Sequence, residues 1–328
     1  MRKQRICICG GGSLGHVCAG VLSSKAEVRI LSGHPDKWAR SLTVTDPDGK
    51  VFNGTLSEVS SDPSRVVSGS DIILLCVPGH LIEKTLIDIK PFIGDAAVGS
   101  VVSSTGFFFF AHSVLGSDAR LFGFQRVPYI ARVSEYGRSA LLLGYKSSLT
   151  VALENLPEEF AANLQTLFDT PVSIAGGYLE VSLTNSNPIL HTGRLYTMFR
   201  GREDEVFDHN ILFYKEWTDE ASQKLIDMDA EFFRLLDRLG VNGIPTLLDY
   251  YESTDATSLT AKISSIEAFQ AITSPMVQVE GGWKMDRTSR YFTEDFPFGL
   301  MWIKDLAVQN NIDTPVIDEV YDWGMHLL

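Results

Sequence analysis

Three stretches of this chain carry residue types whose spacing suits chemistry. The first is Gly10-x-Gly12-x-x-Gly15, with Ser13 and Leu14 between its second and third glycines. The second, Asn185-Ser186-Asn187-Pro188-Ile189-Leu190-His191, places Asn187 and His191 four apart, on one face of a helix. A histidine near the start of a second domain would face a crevice if the domains close on a bound nucleotide. Taken alone, His191 is better read as a structural surface histidine, and His16, His34, His80, His112, His209 and His326 have weaker cases still. The third stretch is Arg290-Tyr291-Phe292-Thr293-Glu294-Asp295-Phe296-Pro297-Phe298-Gly299. A carboxylate here can set the tautomer of an imidazole and raise its basicity. An arginine beside it can clamp a substrate carboxylate through two parallel hydrogen bonds. The plainer reading is a helix capped by Thr293, with Glu294 and Asp295 favouring its positive end.

The glycine motif is the most specific of the three because of its setting. It follows an apolar strand-like run from residue 5 and precedes a helical one. Its first glycine permits a tight turn, the second lets the backbone approach a pyrophosphate, and the third lets helix and strand pack closely. The following helix turns its free N–H groups and positive dipole end towards the phosphates. This predicts a nicotinamide dinucleotide site. At the end of the second strand, where NAD-selective sites carry Asp or Glu, the chain has Ser32; Asp36 lies too far on, beyond Pro35. Ser32, His34, Lys37 or Arg40 could meet a 2′-phosphate, which tilts the reading towards NADP over NAD. Val77-Pro78-Gly79 ends another buried strand, so Val77 and Pro78 are expected to line the nicotinamide side; a plain strand-to-helix turn is the alternative.

The elements that must position these residues follow from periodicity. Arg5–Cys9 and Val28–Leu31 read as strands, His16–Ser24 as a helix, and Val44–Val51 as a hairpin around the turn Asp46–Gly49. The continuous apolar run from Asp71 to Pro78 suits a parallel strand buried on both faces. A helix from His80 to Lys90 and a strand from Ala96 to Val102 complete an alternating order. The fold class is therefore α/β, a Rossmann-type doubly wound parallel sheet. Strand formers persist to Val181, and the text then turns helical. Thr218–Leu239 sets Leu225, Met228, Phe232, Leu235, Leu236 and Leu239 on one stripe, stopped by Gly240. Thr314-Pro315 opens a last helix to about His326. The expected domains are residues 1–182, dinucleotide-binding, and 183–328, a mainly α-helical substrate domain.

Composition narrows the function classes. The chain of 328 residues has a net charge of −13 and no basic stripe, which argues against a nucleic-acid partner. The basic start Met1–Arg5 resembles the opening of a signal peptide, but the apolar stretch after it is too short for a signal core, and no apolar run approaches a membrane span. The expected location is cytoplasmic. Cys7, Cys9, Cys18 and Cys76 sit among buried-strand and helix residues and read as small core side chains; no metal set is expected. Phe107–Phe110 could serve as a homodimer interface, although burial beneath the sheet is favoured.

Nearly end to end, the chain resembles the octopine/nopaline (opine) dehydrogenase family. The resemblance is carried by Ile8-Cys9-Gly10-Gly11-Gly12, Leu75-Cys76-Val77-Pro78, Gln125–Arg132 and Glu135-Tyr136-Gly137. It continues through Leu179–Pro188 with His191, and through Arg290-Tyr291 with Glu294–Pro297; the last two are the most specific. Two departures are Thr192, where relatives often have proline after the histidine, and Ala131, where some carry cysteine. The resemblance implies that His191 is the catalytic acid/base, Asp295 its partner and Arg290 a substrate-carboxylate ligand. Asn187 and Arg132 are further substrate-binding candidates. The implied reaction is NAD(P)H-dependent reductive condensation of an α-keto acid with an amino acid through an imine. The rival is a ketopantoate-reductase-like or other 2-hydroxyacid dehydrogenase, which would rely on a lysine or glutamate pair in the helical domain; Lys215, Lys224 and Lys262 are present there but sit in ordinary helical contexts. A non-enzymatic redox sensor ranks below both.

Overall fold

The computed structural model describes residues 3–328, so Met1 and Arg2 of the basic opening lie outside the described residues. Two compact units result, the first ending at Thr184 and the second spanning Asn185–Leu328, where the sequence placed the division at 182/183.

In the first unit the strands are β1 (Arg5–Cys9), β2 (Glu27–Leu31), β3 (Ser41–Thr45), β4 (Val51–Ser60), β5 (Ile72–Leu75), β6 (Ala97–Ser100), β7 (Leu121–Phe124), β8 (Tyr129–Glu135), β9 (Ser139–Tyr145), β10 (Leu149–Glu154) and β11 (Val172–Ile174). They form one sheet in the order β11-β10-β7-β6-β5-β1-β2-β4-β3-β9-β8. The centre, from β7 through β1 to β4, is parallel, as a doubly wound sheet requires. The flanks depart from the all-parallel expectation: β3 runs antiparallel to β4, β8 to β9 and β10 to β7. The turns joining β3 to β4 and β8 to β9 are too short for a crossover, so those two pairs must reverse direction, whereas β10 pairs with β7 only after the β8–β9 hairpin intervenes. Asp46 fixes the β3–β4 turn by accepting from the backbone N–H groups of Asp48 and Lys50.

Alternation along the central strands builds two cores, one on each face. Ile6, Ile8, Ile72 and Leu74 pack with Val17, Cys18, Val21 and Leu22 of the helix Ser13–Leu22. Cys7, Cys9, Ile73 and Leu75 pack on the other face with Ile82, Leu86 and Ile89 of the helix Gly79–Ile89, and with Phe107 and Phe108. A strand covered on both sides has no polar face, which is why β1 and β5 read as unbroken apolar runs. Of the Phe107–Phe110 stretch, Phe107 and Phe108 are fully buried and Phe109 and Phe110 are half-buried. All four cysteines are free and buried.

The second unit is mainly helical. The helix Asp219–Leu239 is capped by Thr218, whose side chain accepts from Ala221 N–H, and stops at Gly240 in the left-handed conformation. From this helix two carboxylates cap other helices. Asp229 accepts from Leu247 N–H, and Glu231 accepts from Val316 N–H and Ile317 N–H. The cap of the last helix, Pro315–His326, is therefore Glu231, eighty-odd residues away in sequence, and not the side chain of Thr314, which makes no cap bond. A small hairpin of β12 (Met276–Val279) and β13 (Gly282–Met285) completes the unit. Among the described residues no helix is long and apolar enough to cross a membrane.

Candidate active site

The glycine loop of the first unit is shaped by what each glycine meets. Gly10 has φ +125°, and a side chain there would lie 2.5 Å from the Cys76 carbonyl oxygen. A side chain at Gly15 would run into the carbonyl of Gly10, whereas one at Gly12 would meet nothing. So the first and third glycines are needed by the packing, and the second faces open space beside the backbone. The helix starts at Ser13, three residues earlier than the sequence suggested, with Gly12 at its cap. Ser13, Leu14 and Gly15 are thereby its first three residues, whose N–H groups have no acceptor within the helix. Beside them lies a cavity of about 690 Å³, lined by Gly10, Gly11, Gly12, Ser32, Asp62 and Val77 among others. Its size and its glycine-rich wall suit a nucleotide.

The loop is braced by the turn between β8 and β9, a role the sequence did not disclose. Ser13 Oγ accepts from Val133 N–H, and His16 Nε2 accepts from Gly137 N–H at 2.7 Å. His16 Nδ1–H donates to Gly12 O, and the ring stacks on Trp38 at 4.2 Å. Burial lowers the His16 pKa, so the ring is neutral, as these bonds require. Tyr136 and Trp38 both reach Ser32 Oγ at 3.2 Å. The Glu135-Tyr136-Gly137 motif is thus a clamp on the loop. His34 and Lys37 are exposed and do not line the cavity. Arg132 is exposed on β8.

In the second unit, the helix Asn187–Phe199 carries His191 on its buried side, and the ring's two nitrogens are both engaged. Nδ1 lies 2.8 Å from Asp295 Oδ2, and Nε2 lies 3.0 Å from the Tyr214 hydroxyl. Asp295 enters from the segment after the short helix Arg290–Thr293. A π-helical turn, Phe296–Leu300, follows it, closed by Leu300 N–H donating to Asp295 O. Pro297 has no N–H to support a regular helix there, and such wide turns recur at functional sites. Thr293 is not the cap foreseen as the plainer reading; it ends the preceding helix, and its hydroxyl donates to Ser289 O.

Aromatic rings wall the imidazole. Tyr291 and Phe213 meet it edge-on at 4.4 and 5.6 Å, and they stack on each other. Tyr214 is 8% exposed, and burial above all, then the nearby Tyr291, Tyr251 and Asp295, pushes its phenol up. Arg194, one helical turn beyond His191, is buried and donates to the carbonyls of Phe213 and Glu216, which flank Tyr214. Its guanidinium lies 5.2 Å from the Trp217 ring. Burial brings its pKa down to about 10, still cationic at neutral pH. Tyr214 and Arg194 were not singled out in the sequence; the signals were the aromatic cluster Phe213-Tyr214-x-x-Trp217 before Thr218, and an arginine three residues after the histidine.

Arg290 is exposed, adjacent to Tyr291, and in no ion pair among the described residues. Asn187 is exposed at the first position of the His191 helix. Of the rival lysines, Lys224 pairs with Glu319 and Lys262 with Glu252. No metal-binding group of His, Cys, Asp and Glu occurs among the described residues.

A doubly wound sheet with a glycine-rich turn, followed in the chain by a helical unit holding a buried histidine–carboxylate pair, fits a dinucleotide-dependent dehydrogenase. Residues 174–328 match the family model described as NAD/NADP octopine/nopaline dehydrogenase, alpha-helical domain. The octopine dehydrogenase of Mizuhopecten yessoensis is 26% identical, with 98% of this chain and 89% of that protein covered. The tauropine dehydrogenase of Arabella iricolor is 27% identical, covering 98% of this chain and 90% of that protein. Among solved structures, octopine dehydrogenase with NADH and L-arginine superposes with a TM-score of 0.90 at 24% identity, over 98% of this chain and 89% of that one. Over residues 174–328 the chain thus matches the octopine/nopaline dehydrogenase helical-domain model, nearly end to end it is similar to octopine and tauropine dehydrogenases, and it is an NAD(P)-dependent oxidoreductase.

Proposed function

We propose that this enzyme is an opine dehydrogenase, condensing an α-keto acid such as pyruvate with the amino group of an amino acid and reducing the imine to an N-(carboxyalkyl) amino acid. The observation that carries this reading is the buried His191 imidazole bound through Nδ1 to Asp295. A carboxylate on Nδ1 stabilises the imidazolium, so the ring can take a proton at Nε2 and return it, as imine formation requires. Gly10, Gly12, Ser13, Leu14, Gly15, Val77 and Pro78 would hold the dinucleotide, which would supply the hydride. Two carboxylated substrates meeting a chain of net charge −13 need local cations. Arg290, exposed beside Tyr291, is the first candidate; Arg132 and Asn187 are secondary ones. NADPH is favoured over NADH: Ser32 puts no negative charge at the end of β2, Asp62 is committed to Ser64, and His34, Lys37 and Arg40 follow on exposed positions. The enzyme acts in the cytoplasm, in keeping with four cysteines that remain free thiols.

The test is oxidation of NADPH and of NADH with a panel of keto acids, each with and without added amino acids. Amine-dependent turnover, faster with NADPH, is expected. Turnover that ignores the amine would replace this reading with a 2-hydroxyacid dehydrogenase of the ketopantoate-reductase kind.

A further inference from the structure

His191 has no ring nitrogen open to a substrate. An ionised Asp295 can only accept, so Nδ1 carries the proton and the Nε2 lone pair accepts from the Tyr214 O–H. A proton exchanged at Nε2 must therefore pass through the Tyr214 oxygen, or Tyr214 must first swing away. Its surroundings oppose swinging. Trp217 lies parallel to the Tyr214 ring at 6.0 Å, and Phe269 packs on it at 4.6 Å. Arg194 ties the carbonyls on either side of Tyr214 to the His191 helix, and Trp217 is itself fixed by donating to Ser222 Oγ.

We propose that Tyr214 is the group that exchanges protons with the substrate, backed by His191 and then by Asp295; this rests on the reaction proposed above. In the first transfer the Tyr214 proton moves to Nε2 while the phenolic oxygen takes a proton from the substrate ammonium, leaving a free amine and an imidazolium. The amine nitrogen then forms its bond to the keto carbon as the C=O π bond opens, and a second nitrogen proton passes to the resulting alkoxide to give the carbinolamine. In the second transfer Tyr214 gives its proton to the carbinolamine oxygen, the C–O bond breaks, and water leaves. The imidazolium returns its Nε2 proton to Tyr214. Both protons lost with the water come from nitrogen, one through the relay and one through the alkoxide, so the relay ends as it began and leaves an iminium carbon that a bound dinucleotide would reduce. The raised phenol pKa suits a relay that stays protonated at rest.

Tyr214→Phe keeps the ring and its stacking while removing the proton path. In the wild-type assay with the best amine and keto acid pair, it should lower kcat about 10²-fold or more, the usual scale for a lost acid–base group, with dinucleotide affinity unchanged. A wild-type kcat, or an intact kcat with a lower KM for the amine, would overturn the proposal, since the hydroxyl would then merely compete with substrate. Should the phenylalanine variant misfold, site-specific 3,5-difluorotyrosine at position 214 preserves the shape and makes the phenol more acidic. A changed kcat is expected, and an unchanged one sinks the relay. Absence of amine-dependent turnover in the wild-type enzyme would instead defeat the underlying reaction.

Discussion

The phosphate loop and the His191 cluster are built in opposite ways. From Gly10 to Gly15 the chemistry is presented by backbone, within six consecutive residues, and side chains are excluded from it because Gly10 and Gly15 have no room for one. Around His191 the chemistry is entirely side-chain, and it gathers groups from the 187–199 helix, the 213–217 segment and the 290–295 segment. The first kind of site is held by local geometry and fails when one atom is added. The second is held by a chain of hydrogen bonds between distant segments and fails when a link is removed.

The sharpest way to break this contrast is at its two centres. His191→Ala is expected to lower turnover by about 10²–10⁴-fold while the dinucleotide still binds. Normal turnover, measured by cofactor oxidation at saturating substrates, would take the imidazole out of the mechanism. Gly15→Val forces a branched side chain against the Gly10 carbonyl, an overpacking costing about 1–3 kcal/mol. If the strain falls on the bound loop, fluorescence titration should show dinucleotide binding weakened by about 5- to 150-fold, since 1.4 kcal/mol is a factor of ten. Unaltered affinity would mean that the close approach at Gly15 is dispensable.

Smaller effects sharpen the account of the second unit. Arg194→Met leaves the Phe213 and Glu216 carbonyls without their donor, at about 1–3 kcal/mol. A lower melting temperature should be accompanied by a lower kcat and an unchanged dinucleotide affinity. A stability loss with kcat intact would show that the clamp does not serve the imidazole.

Asp229 gives the gentlest test. Burial, with Asp249 adding to it against the Leu247 N–H bond, raises its pKa to about 6. Its folded pKa exceeds the unfolded one, so its contribution to stability is present below about pH 4 and is lost as pH rises through 6. Asp229→Asn keeps an acceptor for Leu247 N–H without the charge. Relative to the wild type its stability should climb by about 2 kcal/mol between pH 4 and pH 7 and then level off. Denaturant melts giving a pH-independent difference would refute the buried charge.

Much of this molecule was readable in one dimension. The glycine spacing, the apolar runs of β1 and β5 and the stripe of the Asp219–Leu239 helix are short-range patterns, set by steric limits and by burial on one face or two. The antiparallel flanks were less readable, because strand direction depends on which edges find each other in space. His191 taken alone read as a surface histidine, and only the family resemblance pointed to it and to Asp295, because nothing in its own neighbourhood fixes its partners. Asp295 lies 104 positions away, Tyr214 lies 23 away in a stretch with no motif, and Glu231 caps a helix 85 positions on.

By itself, then, the sequence determined the glycine turn and the elements on either side of it, since backbone conformation and periodic burial are written residue by residue. Only the tertiary structure decided which nitrogen of His191 holds a proton, what its other nitrogen faces, and which carboxylates cap which helices. Those are side-chain contacts between segments far apart along the chain, and they exist only once packing has brought the segments within about 3 Å of one another.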